Sequence, residues 1–237
     1  MLIIVDKRLP GEAKQALLKY GELIEFASPG ITYKAISGHP DIFFCQAPSG
    51  LVVAPNTPVK YLSFLAEKNV IFTAGNLPVG NSYPETAHYN ALATRKYLIH
   101  NPAITDQVVK DLATPRSPLS SRLSPLSLNQ GYTRCNLINL NEDRFITSDK
   151  GIEKALLTHG LDVQYVSPAG ILLPGFDHGF FGGCCGVLGD KLFVTGKLES
   201  FPEGDIVQKV AIDSGFEVVE LYDGPLFDAG GICFIPI

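Results

Sequence analysis

The sequence predicts an α/β fold of five ββαβ units set around a common axis, a five-bladed α/β-propeller formed as a single domain over residues 1–237. Three observations carry this expectation. A helix-to-strand segment recurs: KQALLKYGELIEF, SFLAEKNVIF, EKALLTHGLDVQYV and VAIDSGFEVVEL each pass from a helical apolar pattern, through a capping residue, into an alternating apolar run. The capping residues are Gly21, Asn69, Gly160 and Gly215. They are spaced by about 47 residues or about twice that, a period that marks a repeated element unable to bury its apolar face alone. Wrapping from Gly215 through the two termini to Gly21 gives nearly the same interval, so the fifth unit is expected to be shared between the chain ends.

Taken in order, LIIVD reads as a buried strand and GEAKQALLKY as the helix that follows it. IFFCQAPSGLVVAP reads as a hairpin turning at Ser49-Gly50, YNALATRKYLIHN as one near Thr94, CNLINLNEDRFITSD as one at Asn141 to Asp143, and GGCCGVLGDKLFVTG as one at Gly189-Asp190. GGICFIPI opens a fifth pair whose remaining strand and helix lie at the N-terminus, so the first and last strands are expected to be neighbours. One copy departs from this pattern. After a short helix at Ile104 to Leu112, the third strand gives way to ATPRSPLSSRLSPLSLNQ. Residues 113–130 therefore read as a long loop, because Pro bars a central strand and Ser with Pro favours turns.

Composition narrows the function classes. A hydrophobic content of 46% with 18% charged residues supports a packed core. The net charge is −5 and the 19 Lys and Arg residues are scattered, so neither a basic stripe nor nucleic-acid binding is expected. The apolar run in MLIIVDKRLP is too short for a signal peptide or a membrane span. Five cysteines, an odd number, suit reduced thiols rather than a disulfide framework. A cytoplasmic protein with no membrane partner is the expectation.

This unit order resembles that of the penteins, the guanidino-group modifying superfamily of arginine and agmatine deiminases, dimethylarginine hydrolases and amidinotransferases. The resemblance spans the whole chain. His39-Pro40-Asp41-Ile42-Phe43-Phe44 is similar to the P-D-x-x-F motif of the hydrolases, and Asp177-His178-Gly179-Phe180 stands where they carry H-x-D. Gly230-Gly231-Ile232-Cys233 resembles their glycine-rich approach to a nucleophilic cysteine. The resemblance implies Cys233 as nucleophile, His178 as general acid/base and Asp41 as a partner of substrate or histidine. Such a pair works by thiolate attack on an amidine-like carbon while the imidazole protonates the leaving amine.

The carboxylates that grip a guanidinium in those enzymes are replaced here. Their E-D pair falls on Gln46 and Ala47, their E-G-G-D motif falls near Ala87-His88-Tyr89-Asn90, and the Asp of H-x-D falls on Phe180. Burying an unpaired guanidinium among such groups costs on the order of several kcal/mol. Glu85 is the nearest replacement carboxylate in sequence.

Each candidate also has a reading as ordinary structure. Cys45, Cys135, Cys184 or Cys185, and Cys233 recur at similar points of their units, as small packing residues near a crowded axis do. His178, beside Asp177 in a glycine-rich turn, suits a surface or capping histidine, and Asp41 after a proline suits the start of a strand. His178 with Cys184 and Cys185 makes no metal site, since adjacent strand cysteines point to opposite faces and no C-x-x-C pair exists. Gly182, Gly183 and Gly186 do not form a dinucleotide fingerprint opening a helix. No metal and no cofactor is expected. The expected function is binding of a small polar ligand or a protein partner at the central channel, through Gln46, Asn90, His88 and Glu85, without guanidine hydrolysis. The alternative is a cysteine-dependent hydrolase or an amidinotransferase-like enzyme acting on an amidine- or amide-like substrate.

Overall fold

The computed structural model describes residues 1–113 and 123–237. In chain order the strands are β1 (Leu2–Asp6), β2 (Glu22–Phe26), β3 (Phe44–Ala47), β4 (Gly50–Val53), β5 (Phe72–Ala74), β6 (Leu92–Ala93), β7 (Tyr97–His100), β8 (Ser124–Ser127), β9 (Leu137–Asn141), β10 (Arg144–Thr147), β11 (Asp162–Tyr165), β12 (Cys185–Leu188), β13 (Lys191–Val194), β14 (Glu217–Glu220) and β15 (Cys233–Ile235). The helices are α1 (Gly11–Leu17), α2 (Val59–Glu67), α3 (Gln107–Asp111), the single turn α4 (Thr133–Asn136), α5 (Lys150–Thr158) and α6 (Gly204–Asp213).

These strands form five three-stranded sheets with one connectivity. In each, a middle strand pairs antiparallel with the strand before it and, through a helical crossover, parallel with the strand after it. The fifth sheet draws on both termini: β1 pairs antiparallel with β15, Ile3 opposite Phe234 and Ile4 opposite Cys233, and parallel with β2. Burial explains the composition of each position. The middle strand LIIVD is buried throughout and GLVV, YLIH, RFIT and KLFV are buried from their second residue on, whereas the outer strands FTA and EVVE carry exposed residues. Helices cover these sheets with narrow apolar stripes, as α5 does with Ile152 and Leu156. Capping fixes where α3 and α5 begin: the Asp106 carboxylate accepts from Val108 N and that of Asp149 from Ile152 N, each at 2.8 Å. Around Phe26 the rings of Phe43, Phe44 and Tyr61 lie with centroids 4.8 to 5.2 Å away, anchoring the sheet of β1 to that of β3. No helix of the described residues is long and apolar enough to cross a membrane.

Two local expectations are corrected. Asn69, Gly160 and Gly215 are left-handed caps, with φ of 57°, 75° and 84°, but Gly21 is not among the positive-φ residues. Its requirement is steric, because a Cβ there would lie 2.4 Å from the carbonyl oxygen of Met1. The expected loop also contains a strand. β8, sequence SPLS, pairs parallel with β7, Leu98 opposite Pro125. It is the outer strand of its sheet, where a missing N–H on the open side costs no ladder bond, so Pro125 is tolerated as it would not be in the middle. Residues 114–122 of the expected loop lie outside the described residues.

At one end of the inner strands, five lead-in segments meet in a circuit of hydrogen bonds. Asn90 Nδ2 donates to Asp41 O (3.2 Å), Arg134 N to Asn90 O (2.9 Å), Arg134 Nη1 to Gly182 O (2.8 Å), Gly231 N to Gly183 O (2.8 Å), and Asp41 N to Gly230 O (3.4 Å). Each segment precedes the first strand of a different sheet, and the last bond returns to the first segment.

Candidate functional site

The circuit brings residues far apart in sequence into one buried cluster. α4 carries Cys135 inward, and its approach to the next unit depends on Gly182, where a Cβ would lie 2.4 Å from Arg134 O and 2.6 Å from Cys135 O. The Cys135 thiol donates to Asp41 Oδ2 at 2.9 Å, and Asn90 Nδ2 reaches the same sulfur at 3.1 Å. Asn90 Oδ1 in turn accepts from Cys135 N at 3.1 Å. Burial pushes the Cys135 thiol well up from its ordinary range, with the neighbouring Asp41 charge acting in the same direction. The Asp41 carboxyl is raised to about 6 by burial, against the opposing pull of the Cys135 hydrogen bond and the Arg134 charge. The pair is a neutral thiol against a carboxylate, the reverse of an activated nucleophile.

His39 sits beside it, 1% exposed, and neither ring nitrogen has a hydrogen-bond partner. Nδ1 lies 3.9 Å from Asp228 Oδ1 and Nε2 lies 4.0 Å from Asp6 Oδ2. Desolvation lowers the His39 pKa, with the two carboxylates opposing. Asp228 is itself held by Phe180 N at 2.9 Å and Gly230 N at 3.0 Å, and burial raises its pKa. Asp6 is engaged by the Arg8 side chain, Nε at 2.9 Å from Oδ1. One donor atom from each of His39, Asp41 and Cys135 lies within 4.8 Å of the others, a geometry open to a metal ion.

Two cavities flank this cluster. The larger, about 870 Å³, opens among the hairpin ends and is lined by Asp41, Gln46, Arg134, Asn139, Gly231 and Cys233 among others. A smaller one, about 250 Å³, is lined by Tyr33, His39, Tyr132, Cys135, Phe180 and Asp228, with Asp177 and His178 at its edge. Asp41 and Cys135, hydrogen bonded to each other, thus face different cavities. The sequence-predicted catalytic pair is divided in the same way. Cys233 is half-buried in the larger cavity, its thiol 3.3 Å from Gln46 Oε1, and desolvation raises it to about 12. His178 is exposed at the smaller cavity, its Nδ1 3.0 Å from Gly179 O, and no contact joins it to Cys233 among the described residues. Gln46 also bridges β3 to β15 by donating to Phe234 O. Of the other ligand candidates, Asn90 belongs to the buried circuit, while His88 bonds Ile104 O at 2.6 Å and Glu85 is exposed against Gly80. Neither His88 nor Glu85 lines the two cavities.

Sequence reasoning missed His39, Cys135, Asp228 and the axial role of Arg134. The signals were short and ambiguous. Asp228 precedes Ala229-Gly230-Gly231, His39 precedes the Pro40-Asp41 pair already noticed, and Arg134-Cys135 stands directly before a hairpin. Nothing local says that three such points converge.

The solved structures include similar folds. C. jejuni agmatine deiminase superposes with a TM-score of 0.56 at 7% identity, covering 93% of this chain and 86% of that one. DDAH from Pseudomonas aeruginosa, a cysteine-to-serine mutant complexed with citrulline, gives 0.52 at 8% identity, covering 93% and 91%. At such identities the likeness is one of fold, and that fold is the pentein arrangement of five ββαβ units. No curated protein matches the chain in sequence. Residues 4–233 match the family of unknown function DUF6873, and the chain belongs to that family as a divergent bearer of the pentein fold.

Proposed function

We propose that this protein binds a small polar ligand, neutral or anionic, in the larger axial cavity and does not hydrolyse guanidines. The observation that carries the reading is Arg134. Its guanidinium donates to Gly182 O at 2.8 Å and Cys185 O at 3.0 Å, and it lines the same cavity as Cys233 and Gln46. A wall that already holds one guanidinium repels a second, and Gln46 supplies a neutral amide where a cation would need carboxylates. Cys233 points the same way, since its partner is that amide rather than an imidazole and its thiol is raised rather than lowered. Agmatine deiminase and DDAH support the fold but not the chemistry, because fold does not carry function.

The test combines turnover and binding. Arginine, agmatine and methylated arginines are incubated at high protein concentration, and release of citrulline, ammonia or methylamine is measured with Cys233→Ala as control. No release is expected. Calorimetric titration with a panel of small carboxylic acids, amides and amino acids should find a binder that agmatine does not mimic, weakened in Arg134→Gln. Turnover that disappears in Cys233→Ala would overturn the proposal in favour of a cysteine-dependent hydrolase.

A further inference from the structure

We propose that His39, Asp41 and Cys135 form a zinc site at the axis, with its open coordination position facing the smaller cavity. This site is separate from the ligand proposed for the larger cavity and does not depend on it.

Three independent features support the assignment. The donor set is the first: an imidazole nitrogen, a carboxylate oxygen and a thiol sulfur, each from a different residue, all within 4.8 Å of one another and all buried. Such a mixed N/O/S set is what a borderline-soft divalent ion takes, and three protein ligands with a fourth position open is the arrangement of reactive zinc sites. The second feature is unmet hydrogen bonding. Both nitrogens of His39 and Oδ1 of Asp41 are buried without a partner. Buried polar atoms are almost always satisfied, so orphaned atoms on two of the three ligand residues call for an occupant. The third is the surround. If one His39 nitrogen binds the ion, the other faces a carboxylate, Asp228 beside Nδ1 or Asp6 beside Nε2. A carboxylate behind a metal-bound histidine fixes its tautomer and strengthens it as a ligand.

Occupation requires only small movements. Ligand bonds of about 2.0 to 2.3 Å place tetrahedral donors closer together than the present outer separation, while the 2.9 Å thiol-to-carboxylate contact must open. In the metal-free state Cys135 donates its proton to Asp41. Zinc replaces that proton: the S–H bond breaks, a Zn–S bond forms, and one proton leaves to solvent per ion bound. His39 ligates as the neutral imidazole. Thiolate and Asp41 together balance the two positive charges, and Asp228 and Asp6 lie just outside. The smaller cavity, walled by Tyr33, Tyr132, Phe176 and Phe180, then presents the open position to a water or a small ligand.

Metal-free protein of residues 1–237 is titrated with zinc by calorimetry in two buffers of different ionisation enthalpy, and with cobalt(II) as a spectroscopic probe. One equivalent is expected, with proton release on binding, and cobalt should give a thiolate charge-transfer band with intense tetrahedral d–d absorption. Cys135→Ser should abolish the charge-transfer band and weaken zinc binding by at least about 100-fold, since removing even an outer partner costs 10- to 100-fold. Cys233→Ser should keep the band. Should Cys135→Ser fail to fold, the wild-type cobalt spectrum decides alone. A wild-type protein that takes up no cobalt, or binds it without a thiolate band, overturns the site, as does a band that survives in folded Cys135→Ser.

Discussion

The thiol of Cys233 lies 3.3 Å from the side-chain oxygen of Gln46, across 187 residues of sequence and at the junction of the first and last sheets. An amide oxygen accepts the thiol proton and gives a thiolate nothing in return. Desolvation holds the thiol up at about 12; the Arg134 charge acts to lower it and the Asp41 charge adds to the rise. Cys233 is the one thiol of the five that is not fully buried. At neutral pH it is expected to alkylate at least about tenfold more slowly than free cysteine, because the thiolate is the reacting form. Timed iodoacetamide labelling read by mass spectrometry measures this. Labelling faster than free cysteine would reveal an activated nucleophile.

Stability is expected to fall on mild acidification because of His100. This residue is 4% exposed, with Nε2 2.7 Å from Gly131 O and Nδ1 2.7 Å from Thr105 Oγ1. Burial lowers its pKa to about 4; the Gly131 carbonyl opposes this, while His88 and Lys110 add to it. The unfolded chain, with a histidine pKa of about 6.5, takes up the proton first. The contribution of neutral His100 is therefore complete above about pH 6.5 and is lost as the pH falls towards about 4, on the order of 3 kcal/mol. Urea unfolding at pH 7 and pH 5 should differ in midpoint, and the difference should shrink in His100→Gln. An unchanged pH slope in that variant would assign the acid sensitivity elsewhere.

Phe234 joins the two ends of the chain energetically. It is buried, stands opposite Ile3 in the β1–β15 ladder, and packs on Phe193 with ring centroids 4.9 Å apart. Phe234→Ala should destabilise the protein by about 3 to 5 kcal/mol. Deleting residues 230–237 should do more, since it strips β1 of its antiparallel partner and exposes a sheet edge. Thermal unfolding of both variants checks this. A truncation that melts at the wild-type temperature would mean that the shared sheet contributes nothing.

Gly182→Ala should loosen the axis without replacing any polar side chain of the site. The added methyl would meet backbone atoms of Arg134 and Cys135, which cannot rotate aside. A loss of about 1 to 3 kcal/mol is expected. The expected local signature is faster amide exchange over residues 133–136 than over β10. Wild-type stability with unaltered exchange would show that the close approach is not required.

The repeated units were legible because their signals are local. A buried middle strand such as LIIVD, an amphipathic stripe such as Ile152 with Leu156, and caps such as Gly160 and Gly215 each depend on neighbours a few residues away. The same reasoning misread Gly21, whose constraint comes from Met1. It also misread Pro125, because a strand's edge position is set by what pairs with it. The motifs that resemble those of the hydrolases were legible as residue types only: Asp41 and Cys233 line one cavity, but Asp41 bonds to Cys135 and Cys233 to Gln46.

The sequence by itself determined the five-unit architecture and the pairing of the terminal strands, since a period of about 47 residues with one unit divided between the ends admits few arrangements that bury every apolar face. Only the tertiary structure decided which polar groups meet. His39, Asp41, Asn90, Cys135 and Asp228 come from four separate lead-in segments, and their 2.9 to 3.9 Å contacts are set by backbone bonds between units rather than by any local motif. A buried cluster assembled in this way leaves no spacing signature, because its distances are set by how separate units pack against one another.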